Sequence, residues 1–171
     1  MGTCFSLYRL HRLRALDEKK ITRRTYAGVQ AFAKIVKIYD GDTFTIVTKL
    51  NSAEPYYQYQ LRLAGIDAPE LKPLLGIPDR DLHVQAGQNV RDIIKNILPE
   101  GALIWVEFAK EDKYGRLLGT VHTVKRTCFW YTPDYNLCNW LIERHYALPY
   151  GGKTKTDFSA SFLKAIPKPM G

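Results

Sequence analysis

Residues 57–70 read Tyr-Gln-Tyr-Gln-Leu-Arg-Leu-Ala-Gly-Ile-Asp-Ala-Pro-Glu. Through Leu63 the stretch alternates strictly, with Tyr57, Tyr59, Leu61 and Leu63 on one face and Gln58, Gln60 and Arg62 on the other. That is the period of a half-buried β-strand, and it puts Arg62 on the polar face. Gly65 and Pro69 then break the period, so Asp67 and Glu70 fall in a loop at the strand's end. Charge at strand ends and in loops points to function more strongly than charge along a solvated helical face.

Upstream, Phe32, Lys34, Val36 and Ile38 are expected on one face of a first strand, with Ala33, Ile35, Lys37 and Tyr39 on the other. It ends at Asp40-Gly41, a common hairpin signal, and a second strand is expected from Thr43 to about Leu50. Downstream, Leu71–His83 holds Pro73, Gly76 and Pro78 and reads as a mobile loop. Val90, Ile93, Ile94, Ile97 and Leu98 stand at the spacing of an amphipathic helix of about four turns, ending before Pro99 and Gly101.

Leu103–Phe108 and Leu117–Val124 read as a fourth and a fifth strand, joined by a charged loop from Lys110 to Arg116. A second helix is expected over Asn136–Arg144, burying Leu137, Trp140 and Leu141, and a short one near Phe158–Ala165. This order predicts a β-rich α+β fold: a five-stranded oligonucleotide-binding (OB-fold) barrel with two to three helices.

The 171 residues are 46% hydrophobic, enough for one good core, and contain no apolar run long enough to span a membrane. Cys4, Cys128 and Cys138 form no Cys-x-x-Cys pair, which argues against a zinc site or a disulfide framework and for a reducing compartment. Cys128 and Cys138 are expected as buried small hydrophobes. His11, His83, His122 and His145 show no ligand spacing.

The formal charge of +8 is not spread evenly. Residues 1–30 hold seven Lys/Arg against two acids, residues 153–171 four Lys against one Asp, and residues 31–152 fourteen of each. Three regions follow: a basic N-terminal tail over 1–30, a folded domain over 31–152 and a basic C-terminal tail over 153–171. Leu7, Leu10, Leu13 and Leu16 recur among the N-terminal arginines, as in a basic amphipathic helix suited to an anionic membrane surface. Met1-Gly2-Thr3-Cys4-Phe5-Ser6 fits the N-myristoylation pattern, with Gly2 as acceptor and Cys4 available for a second acyl chain. Acylation would place the protein at the cytoplasmic face of a membrane; without it a cytoplasmic protein is expected, and a monomer in either case.

Asp40-Gly41-Asp42-Thr43, Arg62 to Glu70 and Asp112-Lys113-Tyr114-Gly115-Arg116, in this order, resemble the segments of the staphylococcal-nuclease (thermonuclease) family. The similarity covers about Ala31 to Tyr150. It implies a calcium-dependent nuclease that cleaves DNA or RNA to 3′-phosphate and 5′-hydroxyl ends. By the same resemblance Asp42, Asp67 and the Ala68 carbonyl would hold Ca²⁺, a hard cation that takes oxygen ligands. Glu70 would be the general base, and Arg62 and Arg116 would grip the phosphate and stabilise its developing charge. Lys113, Tyr114 and Tyr150 would lie against the nucleotide.

His145 stands where the family usually has glycine in the turn after the helix, a costlier choice for a left-handed backbone. Each assignment has a plainer rival: Arg62 as an exposed strand arginine, Asp67 as a turn former, Arg116 as a surface partner of Asp112. The rival for the whole is a catalytically inert nucleic-acid- or protein-binding module of the same fold.

Overall fold

The computed structural model describes residues 14, 15, 17, 25–112, 114–152 and 157–169. The N-terminal leucine stripe, Gly2, Cys4 and Lys113 lie outside the described residues. β1 spans Gln30–Ile38, β2 Thr43–Thr48 and β3 Tyr57–Leu63, each antiparallel to the next. β1 does not keep one alternation along its length. Its register against β2 passes from Ile35↔Ile46 to Lys37↔Thr45, which leaves Val36 as an extra residue. The bulge switches the phase, so Ala33, Ile35 and Ile38 all face the core, where unbroken alternation would have put Ile38 with Phe32 and Lys34.

β5 (Leu103–Phe108) pairs with the other edge of β1, and β6 (Leu117–Arg126) pairs antiparallel with β5. The start of β6 also runs parallel to the end of β3, from Leu61↔Leu117 to Leu63↔Gly119. That pairing closes β1, β2, β3, β6 and β5 into the expected five-stranded barrel, which leaves these strands no open edge between them. Phe44, Ile46, Leu61, Leu63, Ile104, Val106 and Val121 fill it.

α1 spans Arg80–Ile97 and so begins inside the stretch expected to be a mobile loop. Pro78 is the last helix breaker before it, and nothing after Asp79 stops propagation until Leu98. Its face of Ala86, Gly87, Val90 and Ile94 is buried. β4 (Ile66–Asp67) pairs with β8 (Leu148–Pro149), two strands too short to show a period. β7 (Tyr131–Asn136) pairs with β6 and was equally unmarked, because Pro133 argues against a strand.

α2 (Leu137–Glu143) is capped by the Asn136 side chain, which accepts from the Asn139 N–H at 3.1 Å. It buries Leu137, Cys138 and Leu141, with Trp140 half-buried against Tyr146. The turn after it passes through the left-handed region at His145, φ 57°. α3 (Ala160–Ala165) packs on α1. Cys138 is buried as expected, but Cys128 is exposed, because it sits at the turn between β6 and β7, away from the core. Among the described residues no helix is long and apolar enough to cross a membrane.

Candidate active site

Two glycines let three segments converge. Gly41, in the loop after β1, lies so close to Ala68 and Val90 that a Cβ there would come within 2.7 Å of the Ala68 Cβ and 2.9 Å of the Val90 Cγ1. Gly87 on α1 lies equally close to Pro69 and Glu70. The Asp40–Asp42 loop thus packs its backbone onto the Ala68 and Val90 side chains, and α1 meets the Pro69–Glu70 backbone directly, approaches that a side chain at either glycine would prevent.

The register Thr43↔Arg62 brings β3's arginine beside Asp42, and the Leu63 N–H donates to the Asp42 carbonyl at 2.8 Å. Arg62 Nη1 lies 2.7 Å from Asp42 Oδ2 and Nη2 lies 3.2 Å from Asp67 Oδ1. Both carboxylates are buried, Asp42 at 4% and Asp67 at 1% exposed. The Arg62 side chain is itself only 15% exposed, so the polar face of β3 here is an enclosed ion cluster, not a solvated strand surface. Its guanidinium stays charged: burial works against the charge, but Asp42, Asp67 and Asp40 outweigh it and raise the pKa.

Asp42 titrates far from the ordinary carboxylate range. Burial, reinforced by the negative charge of Asp40, pushes it up to about 7 despite Arg62 and a 2.8 Å hydrogen bond from the Thr43 hydroxyl. Asp40, whose Oδ1 accepts from the Asp42 N–H at 3.2 Å, is also raised, chiefly by burial. The site carries more buried negative charge than its guanidinium neutralises.

Beside this cluster opens a cleft of about 330 Å³ lined by Tyr39, Asp40, Thr43, Gln60, Glu70, Lys72 and Arg116. Arg116 is aimed by Asp112, whose Oδ2 accepts from Nε at 2.6 Å while Oδ1 accepts from the backbone N–H groups of Tyr114 (2.8 Å) and Arg116 (2.9 Å). Partial burial of Asp112 works against its charge, but these hydrogen bonds prevail and hold its carboxyl below the usual range. The expected surface partnership of Arg116 with Asp112 is therefore present, on a guanidinium that also lines the cleft.

Of the expected site residues, Asp42, Arg62, Asp67 and Ala68 lie together and Glu70 and Arg116 share the adjoining cleft. Tyr150 is carried in by the β4–β8 pair: its N–H donates to the Gly65 carbonyl at 2.9 Å, and the Arg62 Cζ sits 5.7 Å from its ring centroid. Tyr114 is largely exposed, with its ring 5.6 Å from the Arg116 Cζ. Asp40, Gln60 and Lys72 were not singled out from the sequence. Gln60 shares the face of Arg62 two residues on, a legible hint, whereas Lys72 reaches the cleft by the path of its loop, which no period encodes.

The sequence model of the family described as staphylococcal nuclease homologue matches residues 60–160. No curated protein matches the chain.

Proposed function

The chain belongs to the staphylococcal nuclease homologue family, and from that premise we propose that it hydrolyses phosphodiester bonds of DNA or RNA to 3′-phosphate and 5′-hydroxyl products with a calcium ion bound. The observation that carries the reading is the junction of an under-neutralised carboxylate cluster with a cleft holding a carboxylate and a guanidinium. Among the described residues no three His, Cys, Asp or Glu side chains are arranged to hold a metal alone. The donors that would hold the ion, the Asp42 and Asp67 carboxylates with main-chain oxygen at Ala68 and water, are all hard oxygens, and a divalent cation would favour the ionised Asp42 that burial and Asp40 disfavour. When bound, calcium supplies positive charge that polarises a phosphate oxygen.

The chain's own groups account for the remaining work. Glu70, in the cleft, takes a proton from the attacking water. Arg116, held at Nε by Asp112, presents its outer nitrogens to the phosphate and stabilises the charge that builds there. Arg62 has a double allegiance: the carboxylates it holds are those assigned to the cation, so it grips a phosphate only by leaving them. Tyr114 and Tyr150 offer ring faces to sugar or base, and Lys72 adds a cation at the cleft wall.

The rival reading, a binding module without turnover, draws on the engagement of both guanidiniums by carboxylates of the chain itself. Single-stranded DNA incubated with protein and Ca²⁺, against chelator and Glu70→Gln controls, separates the two. Cleavage that needs Ca²⁺ and falls by about 10²–10⁴-fold in Glu70→Gln supports the nuclease. Binding with no cleavage supports the module, and cleavage indifferent to both controls overturns the assigned chemistry.

A further inference from the structure

The ribbon formed by the end of β6 and by β7 packs on α2 at its base, where Tyr135 meets Trp140, and has no fully buried residue from Val124 to Tyr135: Lys125, Arg126 and Tyr131 to Tyr135 are all exposed. Its turn is closed by the Thr127 N–H and hydroxyl donating to the Trp130 carbonyl at 2.8 and 2.9 Å. At the tip stand Phe129, 89% exposed, and Trp130, 75% exposed. Two large apolar side chains at a turn of this size contribute nothing to the fold, and a two-stranded ribbon gains little stability alone.

We propose that this tip is a membrane wedge that inserts Phe129 and Trp130 at the headgroup boundary of an anionic bilayer. The chemistry of the ribbon selects that occupant. Residues 124–133 read Val-Lys-Arg-Thr-Cys-Phe-Trp-Tyr-Thr-Pro, with two cations; the ribbon's one acid, Asp134, follows Pro133 on the barrel side, farther from the tip. Register places Arg126 beside Tyr131 and Lys125 beside Thr132, so successive cations stand on opposite faces of the ribbon, just behind the aromatic tip. Aromatic side chains with cations behind them match an interface of acyl chains below anionic headgroups. The tip is also convex: a bilayer accepts a protruding wedge anywhere, whereas a protein partner would need a matching pocket.

The position agrees with the chemistry. Arg116 immediately precedes β6 and the tip follows its other end, about 30 Å away along the strand. An inserted tip leaves the cleft in water, and it stands too far from Arg116 to stack on a base held there. The excess cations of residues 1–30 and 153–171 add attraction to the same surface.

The test uses the full chain and vesicles of phosphatidylcholine with or without phosphatidylserine. Phe129→Ser/Trp130→Ser lowers partition onto the phosphatidylserine vesicles at least about tenfold, and Lys125→Ala or Arg126→Ala lowers it about fivefold each. Brominated lipid quenches tryptophan fluorescence of the natural sequence, and Trp130→Phe removes that quenching although Trp105 and Trp140 remain. All these positions are exposed, so unchanged melting is expected of each variant. Partition or quenching unaffected by the tip variants overturns the proposal. So does a tip variant that keeps its vesicle partition but loses affinity for a single-stranded oligonucleotide, since the tip would then serve nucleic acid.

Discussion

Gly87 on α1 lies directly behind Glu70: a Cβ on residue 87 would stand 3.0 Å from the Glu70 carbonyl oxygen and 2.7 Å from that of Pro69. Both neighbours are backbone, so the loop itself has to move to admit a methyl group. Glycine inside a helix costs roughly 1 kcal/mol against alanine, and that cost is the condition for this contact. Gly87→Ala should gain helix propensity and lose cleavage by about tenfold or more, because small displacements of a reacting group are expensive. Cleavage assays beside thermal melts check this; full activity with an unshifted melt would mean that the Glu70 loop does not need its position.

Arg62 is held by two buried carboxylates, so removing its charge leaves them uncompensated. Arg62→Gln should destabilise the protein by about 3 kcal/mol in urea unfolding, near the low end for a broken buried pair. Arg62→Lys keeps the charge but not the two-armed contact, and should cost less stability than Gln while losing most of the cleavage. Equal loss of stability in the two variants would show that shape, not charge, holds the cluster.

The Asp42 carboxyl, raised by burial to about 7, sets a pH dependence. Its folded pKa lies above the unfolded value, so its contribution to stability is fully present below about pH 4 and is lost as pH rises toward and through 7. The slope it adds is at most about 1.4 kcal/mol per pH unit. Through this group metal-free protein should therefore lose stability between about pH 4 and 7 and level off above that. Asp42→Asn should flatten that loss, and Ca²⁺ should stabilise most at the alkaline end, where the carboxylate is ionised. Melting curves across pH, with and without Ca²⁺, read all three.

Asp112 aims Arg116 and shapes its loop with the same carboxylate. Asp112→Asn keeps an oxygen for the backbone N–H groups but weakens the bond to Nε, and should cut cleavage about tenfold with little change in melting. Asp112→Ala removes the loop bonds as well and should lower both. The Asp112 carboxyl is held below its unfolded value, so its contribution persists above that value and is lost only in acid, as pH falls through the lowered pKa.

Cys128 and Cys138 should part in reactivity. In a Cys4→Ser background a thiol reagent should modify exposed Cys128 fast, and Cys138 only on unfolding, since burial both shields that thiol and raises its pKa. Two fast thiols would contradict the packing of α2.

Legibility in the sequence follows the range of the forces involved. Alternation over Tyr57–Leu63 and the stripe from Val90 to Leu98 each come from one element meeting one core, so they survive in a window of a few residues. The Val36 bulge does not, because a bulge is a mismatch between two strands and shows only against β2. β7 was hidden by Pro133, a residue tolerated there because the ribbon lies at the edge of the sheet. The start of α1 was hidden because the prolines and glycine before it marked a loop without marking its end.

From its sequence alone this protein's five barrel strands, its main helix and the segments bearing Asp42, Arg62, Asp67, Glu70 and Arg116 could be read, since side-chain period and turn chemistry are local. Only the tertiary structure decided that Arg62 is enclosed by Asp42 and Asp67, that Tyr150 reaches it through the β4–β8 pair, and that Gly41 and Gly87 let the loops meet. It also decided that Phe129 and Trp130 face outward. The reason is physical: burial, ion pairing and close approach are relations between residues far apart in the chain, and they come into being only when the barrel closes.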